Sequence, residues 1–220
     1  MGGKTAVMIG ATGLVGSQVL VQLLADDRFS KVISFGRRKT DNASAKLEER
    51  VVDFDDPSSW HSDVKGDVAF SCLGTTLKQA GSKEAQKKID YSYQVHFAEA
   101  AKANGIGAYA LCSAAGANAK SAMFYSRIKG ELDRDVSALG FERTRIFRPS
   151  LLLGDRGERA RFGEKLAAPL LRGLNAIGIA RKSRGIEGST VARAMVRTAL
   201  GGEPGVAIYT LDEVFAAAGD

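Results

Sequence analysis

Short apolar runs alternate along this chain with longer segments whose apolar residues recur every three or four positions. The short runs predict buried strands, and the longer periodic segments predict amphipathic helices. Strands that alternate with helices indicate parallel βαβ units in one sheet. The pattern therefore predicts an α/β fold with a doubly wound parallel sheet that carries helices on both faces. Six strands are predicted at residues 5–9, 32–35, 50–54, 67–74, 107–113 and 144–153.

The helices predicted in the middle of the chain have clear ends. Gly105 closes a helix predicted over residues 83–104, and Gly140 closes another predicted over residues 125–139. The last third is less regular. Its predicted elements are helices at residues 162–174, 189–200 and 211–218 and a late strand at residues 206–209.

Three glycines spaced by three, Gly10, Gly13 and Gly16, join the first strand to the first helix. Glycine permits a sharp turn, a close approach of the backbone to a pyrophosphate and tight packing of the helix on its strand. The free N–H groups at the positive end of the helix then face the phosphates. We interpret the turn as a dinucleotide site; the alternative is a tight turn that binds nothing. The predicted contacts are Gly10, Thr12, Gly13, Leu14, Val15 and Gly16.

The residues after the second strand indicate which dinucleotide is bound. An NAD site usually has an acidic residue there, about 20 residues beyond the glycines. This chain instead has Gly36, Arg37 and Arg38. Two guanidinium groups bind a 2′-phosphate through charge-assisted hydrogen bonds, whereas an acid would repel it. We therefore expect NADP(H) to be preferred over NAD(H); the alternative is a solvated pair of arginines.

The ends of the third and fourth strands supply further predicted cofactor contacts, because the carboxyl ends of parallel strands line one crevice. Asp53 and Phe54 are placed to meet the adenine. Backbone groups and hydroxyls after the fourth strand reach the ribose or the pyrophosphate. These residues are Leu73, Gly74, Thr75 and Thr76.

A candidate catalytic group follows. Tyr125 and Lys129 are four apart on one helix and therefore share a face, and Ser113 ends the fifth strand. Tyrosine, with an ordinary pKa of about 10, becomes a useful acid or base only when a neighbouring ammonium or a positive nicotinamide ring favours the phenolate. We expect Tyr125 to exchange the proton, Lys129 also to bind the nicotinamide ribose, and Ser113 to donate to the substrate oxygen. The alternative is a surface Tyr–Lys pair.

Several motifs carry a resemblance to a known family. The glycine turn, the Tyr125-to-Lys129 stretch and Arg148-Pro149-Ser150 resemble the short-chain dehydrogenase/reductase superfamily, of the extended or atypical kind. Within it, residues 71–76, 129–131 and 152–159 are similar to the HIV Tat-interacting-protein group and its bacterial, epimerase-like homologues. The resemblance covers roughly residues 5–200.

This resemblance implies a Rossmann domain that binds NADP(H), with Arg148, Pro149 and Ser150 added to the cofactor site. We expect residues 1–220 to form one domain, with residues 154–188 as a small C-terminal lid on the substrate side of the crevice. One position departs from the family pattern. Extended members commonly have a proton-relay asparagine where this chain has Asp90, so the acid holds a relay water or the relay is absent.

The sequence favours an NADP(H)-dependent oxidoreductase that moves hydride to or from a carbonyl or a secondary alcohol. Two alternatives stay open, a regulatory NADP(H) sensor with little or no turnover and a nucleotide-sugar epimerase-like enzyme. The presence of Ser113, Tyr125 and Lys129 as a set favours an enzyme, because a pure sensor needs none of them. The short spacing from Ser113 to Tyr125 weakens the epimerase reading.

Charge suggests the kind of partner. The net charge is +6, and residues 141–184 hold eleven lysines and arginines against four acidic residues. This basic segment binds an anionic substrate or is a solvated face. Because the chain shows no recognised nucleic-acid-binding module, we expect a small-molecule substrate and no nucleic acid. A homodimer or a protein partner is left open.

Composition and cysteines suggest a location. Hydrophobic residues make up 45% of the chain, yet no run approaches the roughly 18 apolar residues of a membrane span, and no signal segment precedes Gly10. Cys72 and Cys112 lack metal-site spacing, so no metal site is expected. We expect them to be buried, neighbouring thiols without a disulfide. Free thiols favour a reducing compartment, and we expect the cytoplasm.

Overall fold

A seven-stranded, entirely parallel sheet lies at the centre of the computed structural model, which describes residues 2–153 and 185–220. Across the sheet the order is β3-β2-β1-β4-β5-β6-β9. The sheet strands are β1 (Lys4–Ile9), β2 (Phe29–Gly36), β3 (Leu47–Val51), β4 (Val68–Ser71), β5 (Ala108–Cys112), β6 (Arg143–Phe147) and β9 (Gly205–Tyr209). A separate parallel pair joins β7 (Leu152–Leu153) to β8 (Ile186–Glu187).

Helices cover both faces of the sheet, each over its own hydrophobic core. Phe29 and Val191 belong to the core under α1, α6 and α7, and Phe97 and Leu132 to the core under α4 and α5. The predicted doubly wound α/β fold is therefore confirmed. The helices are α1 (Leu14–Ala25), α2 (Leu77–Ala80), α3 (Lys83–Lys87), α4 (Tyr93–Ala103), α5 (Phe124–Ala138), α6 (Gly188–Thr198) and α7 (Leu211–Ala218).

The order of the strands reverses between β1 and β4, because β1 leads outward to β2 while β4 leads the other way to β5. Ligands of open α/β sheets bind beyond the carboxyl ends of the strands at such a point. Cys72, just after β4, and Cys112, the last residue of β5, are buried free thiols there, as predicted. Burial raises the pKa of both, that of Cys112 to about 11.

Several predicted strands have wrong boundaries: the second begins at Phe29 instead of residue 32, and the fourth ends at Ser71 instead of residue 74. The third covers Leu47–Val51 instead of residues 50–54, because this edge strand is polar and its apolar neighbour Phe54 packs into the core from a turn. The sixth ends at Phe147 instead of residue 153. Pro149 has no N–H group to donate to a strand ladder, so the chain leaves the sheet before it.

The long helix predicted over residues 83–104 is interrupted. A π-helical turn, Lys88–Ser92, separates α3 from α4. The helix predicted over residues 162–174 and most of the predicted lid lie outside the described residues. None of the helices in the described ranges combines the length and hydrophobicity that a membrane crossing requires.

Candidate functional site

The turn between β1 and α1 is built around two glycines that no other residue can replace without movement of the backbone. Gly10 has a φ of +85°, which favours glycine, and a Cβ there would stand 2.5 Å from the carbonyl carbon of Cys72. A Cβ on Gly16 would overlap the carbonyl oxygen of Gly10. Helix α1 therefore begins in direct contact with the turn, at the carboxyl end of β1.

The N-terminus of α1 suits an anion. Gly13, the residue before the helix, donates its N–H to the carbonyl of Gly10 at 2.9 Å. It offers no side chain to cap the helix, and the first turn contains no acidic residue. The N–H groups of such a helix end, together with the helix dipole, bind phosphate. The turn thus fits the pyrophosphate of a dinucleotide.

The cavity above this turn, termed the main cavity, has a volume of about 940 Å³. It extends from the N-terminus of α1, past the loop after β4, to the first turns of α5. This is the size range of cofactor and substrate sites in proteins. It brings together most of the predicted site: Thr12, Gly13, Leu14, Val15, Leu73, Gly74, Thr75, Thr76, Ser113, Tyr125 and Lys129.

A second cavity of about 370 Å³, the arginine cavity, lies at the other end of the glycine turn, near β2 and β3. Arg37 and Arg38 line it with exposed side chains, together with Phe54 and Gly10. No acidic side chain lines this cavity among the described residues. Its charge suits an anionic group, since guanidinium groups bind phosphate with charge-assisted hydrogen bonds.

The three predicted catalytic residues meet in the main cavity. Tyr125, which is 43% exposed, stands on its open side, whereas Lys129 is only 2% exposed. Ser113 donates its backbone N–H to the carbonyl of Phe147 at 2.7 Å, which fixes its position just past β5. Its buried hydroxyl lies close to the Asp133 carboxyl, whose pKa it lowers, but the two form no hydrogen bond of ordinary geometry within the described residues. Because Ser113 also lines the main cavity, its hydroxyl is suited to hold a substrate oxygen.

Lys129 is a buried cation, and a buried cation needs nearby negative charge. Asp90, in the π-helical turn, is a buried acid whose charge interacts with that of Lys129. One oxygen of Asp90 accepts the N–H of Thr75 at 3.0 Å, and the other is buried without a partner among the described residues. Burial raises the pKa of the Asp90 carboxyl, and the Lys129 ammonium opposes that rise. Asp90 thereby connects the loop after β4 to the π-helical turn.

Asp133 supplies the other negative charge, and the sequence analysis missed it. It stands one turn beyond Lys129 in α5, is 3% exposed and accepts a hydrogen bond from Arg148 Nε at 2.9 Å. Burial raises the pKa of Asp133, while the Ser113 hydroxyl, Arg148 and Lys129 lower it. The signal was available, because Tyr125, Lys129 and Asp133 are each four residues apart and share one helix face.

Asp90→Asn is expected to gain stability relative to wild type as pH rises. A carboxyl whose pKa is raised by folding contributes most to stability at low pH, and this contribution is lost as pH rises through the folded pKa. Asparagine still accepts the Thr75 N–H but has no charge to bury. Melting temperatures of both proteins between pH of about 4 and about 8 measure the difference.

Asp135→Asn provides the matched control on α5. The Arg134 guanidinium lowers the pKa of Asp135, so this carboxylate stabilises the fold above its ordinary pKa and the benefit is lost on acidification. The Asp135 variant should therefore be less stable than wild type at neutral pH, with the gap closing as pH falls. An Asp90 variant with this same trend, or with none, would contradict the assignment.

Five predicted cofactor residues line neither cavity as the described residues form them: Gly16, Asp53, Arg148, Pro149 and Ser150. Gly16 packs under the turn, and Arg148 pairs with Asp133. The Asp53 carboxylate accepts the N–H of Asp55 at 2.9 Å, and the Pro149 carbonyl accepts that of Ala115 at 2.9 Å. Ser150 is half-buried. Their contacts with a cofactor stay predictions.

Comparison with known proteins identifies the chain's relatives. A family model described as NAD(P)H-binding matches residues 10–165, from the glycine turn to beyond β7. The chain belongs to the NAD(P)H-binding family. The family range includes both arginines and the three residues that meet in the main cavity.

Curated relatives align with most of the chain. The mitochondrial protein FMP52 of Candida albicans is 39% identical over 165 residues, covering 73% of this chain and 72% of the relative. FMP52-1 of Scheffersomyces stipitis, also named mitochondrial, is 34% identical over 220 residues, covering 96% of both. The resemblance to the HIV Tat-interacting-protein group stays a prediction.

These relatives contradict the cytoplasmic location predicted from the sequence, since the FMP52 proteins are named as mitochondrial. The inference failed for a physical reason. Free thiols such as Cys72 and Cys112 indicate reducing conditions, and such conditions do not specify one compartment.

Solved structures of the same fold include two informative members. A UDP-N-acetylglucosamine 4-epimerase from Methanobrevibacter ruminantium has a TM-score of 0.72 at 16% identity, covering 98% of this chain and 81% of that one. An oxidoreductase of the short-chain dehydrogenase/reductase family from Burkholderia thailandensis has a TM-score of 0.69 at 18% identity, covering 90% and 86%. The NAD(P)H-binding family member described here thus has the Rossmann fold of short-chain dehydrogenase/reductase and epimerase-like proteins.

Proposed function

We propose that this chain is an NADP(H)-dependent oxidoreductase that interconverts a carbonyl compound and the corresponding secondary or primary alcohol. One observation carries the proposal: the main cavity joins the anion-binding end of α1 to Ser113, Tyr125 and Lys129. A dinucleotide bound by its phosphates at α1 has room to extend toward these three side chains. The FMP52 names also support a mitochondrial place of action.

Each side chain has a distinct role in this proposal. The N-terminus of α1 and the arginine cavity would hold NADPH, which would supply the hydride that reduces the carbonyl carbon. Tyr125 holds a proton on its phenol oxygen and passes it to the carbonyl oxygen, so that the alcohol forms. Ser113 holds that oxygen with its buried hydroxyl, which lines the main cavity. Lys129 contributes the positive charge that favours the phenolate left on Tyr125.

Asp90 and Asp133 are positioning residues in this mechanism. Both are buried acids whose charges interact with that of Lys129. Each is held by a neighbouring element: Asp90 by the N–H of Thr75, Asp133 by Arg148. This arrangement explains how the Arg148 motif supports the site from outside the cavity.

The preference for NADP(H) over NAD(H) rests on Arg37 and Arg38. Both side chains line the arginine cavity, and the described part of that cavity has no acid to repel a 2′-phosphate. A 2′-phosphate there gains charge-assisted hydrogen bonds that a 2′-hydroxyl cannot form with guanidinium donors.

Replacing both Arg37 and Arg38 with serine is expected to raise the Kd for NADPH by about 100-fold and to leave the Kd for NADH within about twofold, because two charged hydrogen bonds are lost only from the 2′-phosphate. Fluorescence titration with each nucleotide measures this. Lys39→Ser, an exposed cation next to the pair but outside the cavity lining, is the matched control and should change neither Kd. A wild-type preference for NADH would refute the assignment.

The function itself is tested by NADPH consumption over a panel of aldehydes and ketones, with product alcohols identified by mass spectrometry. We expect turnover with a subset of the panel. NADPH binding without turnover on any member would instead favour the sensor alternative.

A further inference from the structure

The main cavity has two ends with different chemistry. At one end the N-terminus of α1 suits the cofactor phosphates; at the other, Ser113 and Tyr125 mark where a substrate carbonyl must lie in the proposed function. The wall beyond Tyr125 is formed by Gln79, Lys83 and Phe124. These side chains are thus the candidates for contact with the rest of the substrate.

The wall of the cavity is cationic. Its described lining includes Lys83 and Lys129 and contains no aspartate or glutamate. Neither lysine forms an ion pair within residues 2–153 and 185–220. Lys129 is buried and interacts electrostatically with the buried carboxyls of Asp90 and Asp133, whereas the Lys83 side chain is exposed. Glu84, the neighbour of Lys83, is held at the start of α3 by Ser82 and its own backbone N–H, and the Lys83 charge also lowers the pKa of its carboxyl.

Lys83 is also held next to the reacting centre. Its ammonium lies 5.7 Å from the centre of the Phe124 ring, and Phe124 directly precedes Tyr125. The position of α3 is set by Ser82, whose hydroxyl accepts the N–H of Ala85 at 3.1 Å. A cation–π contact orients an ammonium without neutralising it. Lys83 therefore presents a full positive charge beside the residue that exchanges the proton.

Lys87, one turn later in the same helix, shows the contrast. Its ammonium lies 5.3 Å from the centre of the Tyr91 ring, a similar arrangement. It is, however, paired with the Glu131 carboxylate at 3.6 Å, and it does not line the main cavity. Of these two lysines, the one that faces the cavity is the one without a carboxylate.

We propose that the substrate of this site is a carbonyl compound that carries a carboxylate, and that Lys83 is the specificity residue that binds this carboxylate. The inference rests on the proposed oxidoreductase function and specifies its substrate class. A carboxylate that reaches Lys83 while its carbonyl lies at Ser113 and Tyr125 supplies the negative charge that the cavity wall lacks. The ammonium then binds it through a charge-assisted hydrogen bond.

The test uses pairs of aldehydes or ketones that differ only in a carboxylate or its methyl ester, for example 4-carboxybenzaldehyde and its ester. For each pair that wild type reduces, we expect the kcat/KM of the carboxylate to be about tenfold above that of its methyl ester. Lys83→Gln should remove this advantage by raising KM for the acid about tenfold, with the ester and the Kd for NADPH unchanged within about twofold. Lys87→Gln, the matched control, should change neither.

Three results would overturn the assignment of Lys83. The first is an equal kcat/KM of wild type for acids and esters, and the second is an equal loss of kcat/KM on acid and ester in Lys83→Gln. The third is weaker NADPH binding in that variant, which would place Lys83 against the cofactor. If no pair is turned over, the oxidoreductase proposal fails separately. Calorimetric titration of NADP⁺-loaded protein with 4-(hydroxymethyl)benzoate and with its methyl ester then tests the carboxylate site without turnover. Tighter binding of the carboxylate than of the ester, lost in Lys83→Gln, supports the site. Equal affinity of wild type for the two compounds refutes it.

Discussion

Gly16→Ala is expected to abolish tight NADPH binding and to raise the Kd by at least about 100-fold. A change of this size corresponds to the free energy of two charge-assisted hydrogen bonds. The added methyl group would overlap the carbonyl oxygen of Gly10, a backbone atom that cannot rotate away. Helix α1 must then move off the turn, and its N–H groups leave the place where they meet the phosphates. Overpacking of this kind also costs about 1–3 kcal/mol of stability.

Gly201→Ala is the matched control for this prediction. A Cβ at Gly201 meets no atom within 4 Å, so stability should stay within about 0.5 kcal/mol of wild type and the Kd for NADPH should not change. Calorimetric titration with NADPH and thermal unfolding of each variant measure both quantities. An NADPH affinity of Gly16→Ala equal to that of wild type would show that the glycine turn does not hold the cofactor.

Tyr125→Phe is expected to lower kcat about 10²- to 10⁴-fold, the range that a positioned general acid contributes. The Kd for NADPH should change by less than about twofold, because the helix N-terminus and the arginine cavity hold the phosphates and remain intact. Single-turnover reduction of the best carbonyl in the panel, followed by NADPH absorbance, measures the chemical step.

Tyr91→Phe removes a phenol that is also near α5 but does not line the main cavity. Its hydroxyl donates to the Asp135 carboxylate at 2.7 Å. We expect wild-type kcat from this variant. Full activity of Tyr125→Phe would remove Tyr125 from the mechanism, and equal losses in both variants would indicate a structural effect on α5.

Much of the fold follows from local sequence patterns. The run before Gly10 and the helical spacing after Gly16 predicted β1 and α1, because a buried strand and an amphipathic helix each leave a periodic signature. Gly105 and Gly140 both have positive φ values, of +83° and +68°, as residues that follow a helix often do. Where one short stretch determined the conformation, the prediction was accurate.

The part of the fold that was not predicted depends on polar residues whose partners are distant in the sequence. The π-helical turn in the predicted helix over residues 83–104 contains the fully buried Asp90, which binds Thr75. In the following turn Gln94 accepts a hydrogen bond from Ser71 at 2.9 Å. Spacing along one helix gives no sign of partners on another strand or loop, so the interruption was not predictable from periodicity.

The candidate site was predicted in part because its residues are of two kinds. Side chains that face a ligand, such as Ser113, Tyr125 and Lys129, follow motifs whose chemistry can be inferred directly. Side chains that support them have no such motif. Asp133 is a single acid on an amphipathic helix, and only its ion pair with Arg148 and its position behind Lys129 give it a role.

Transfer of deuterium from NADPH labelled at C4 of the nicotinamide to the product alcohol tests the central claim most directly. Wild type is incubated with the carbonyl panel and each C4 epimer of labelled NADPH in turn. One epimer only should transfer its deuterium to the former carbonyl carbon of the product. Tyr125→Phe should make the same transfer far more slowly. Bound NADPH that transfers no label to any member of the panel would contradict the account and leave a cofactor-binding protein without catalysis.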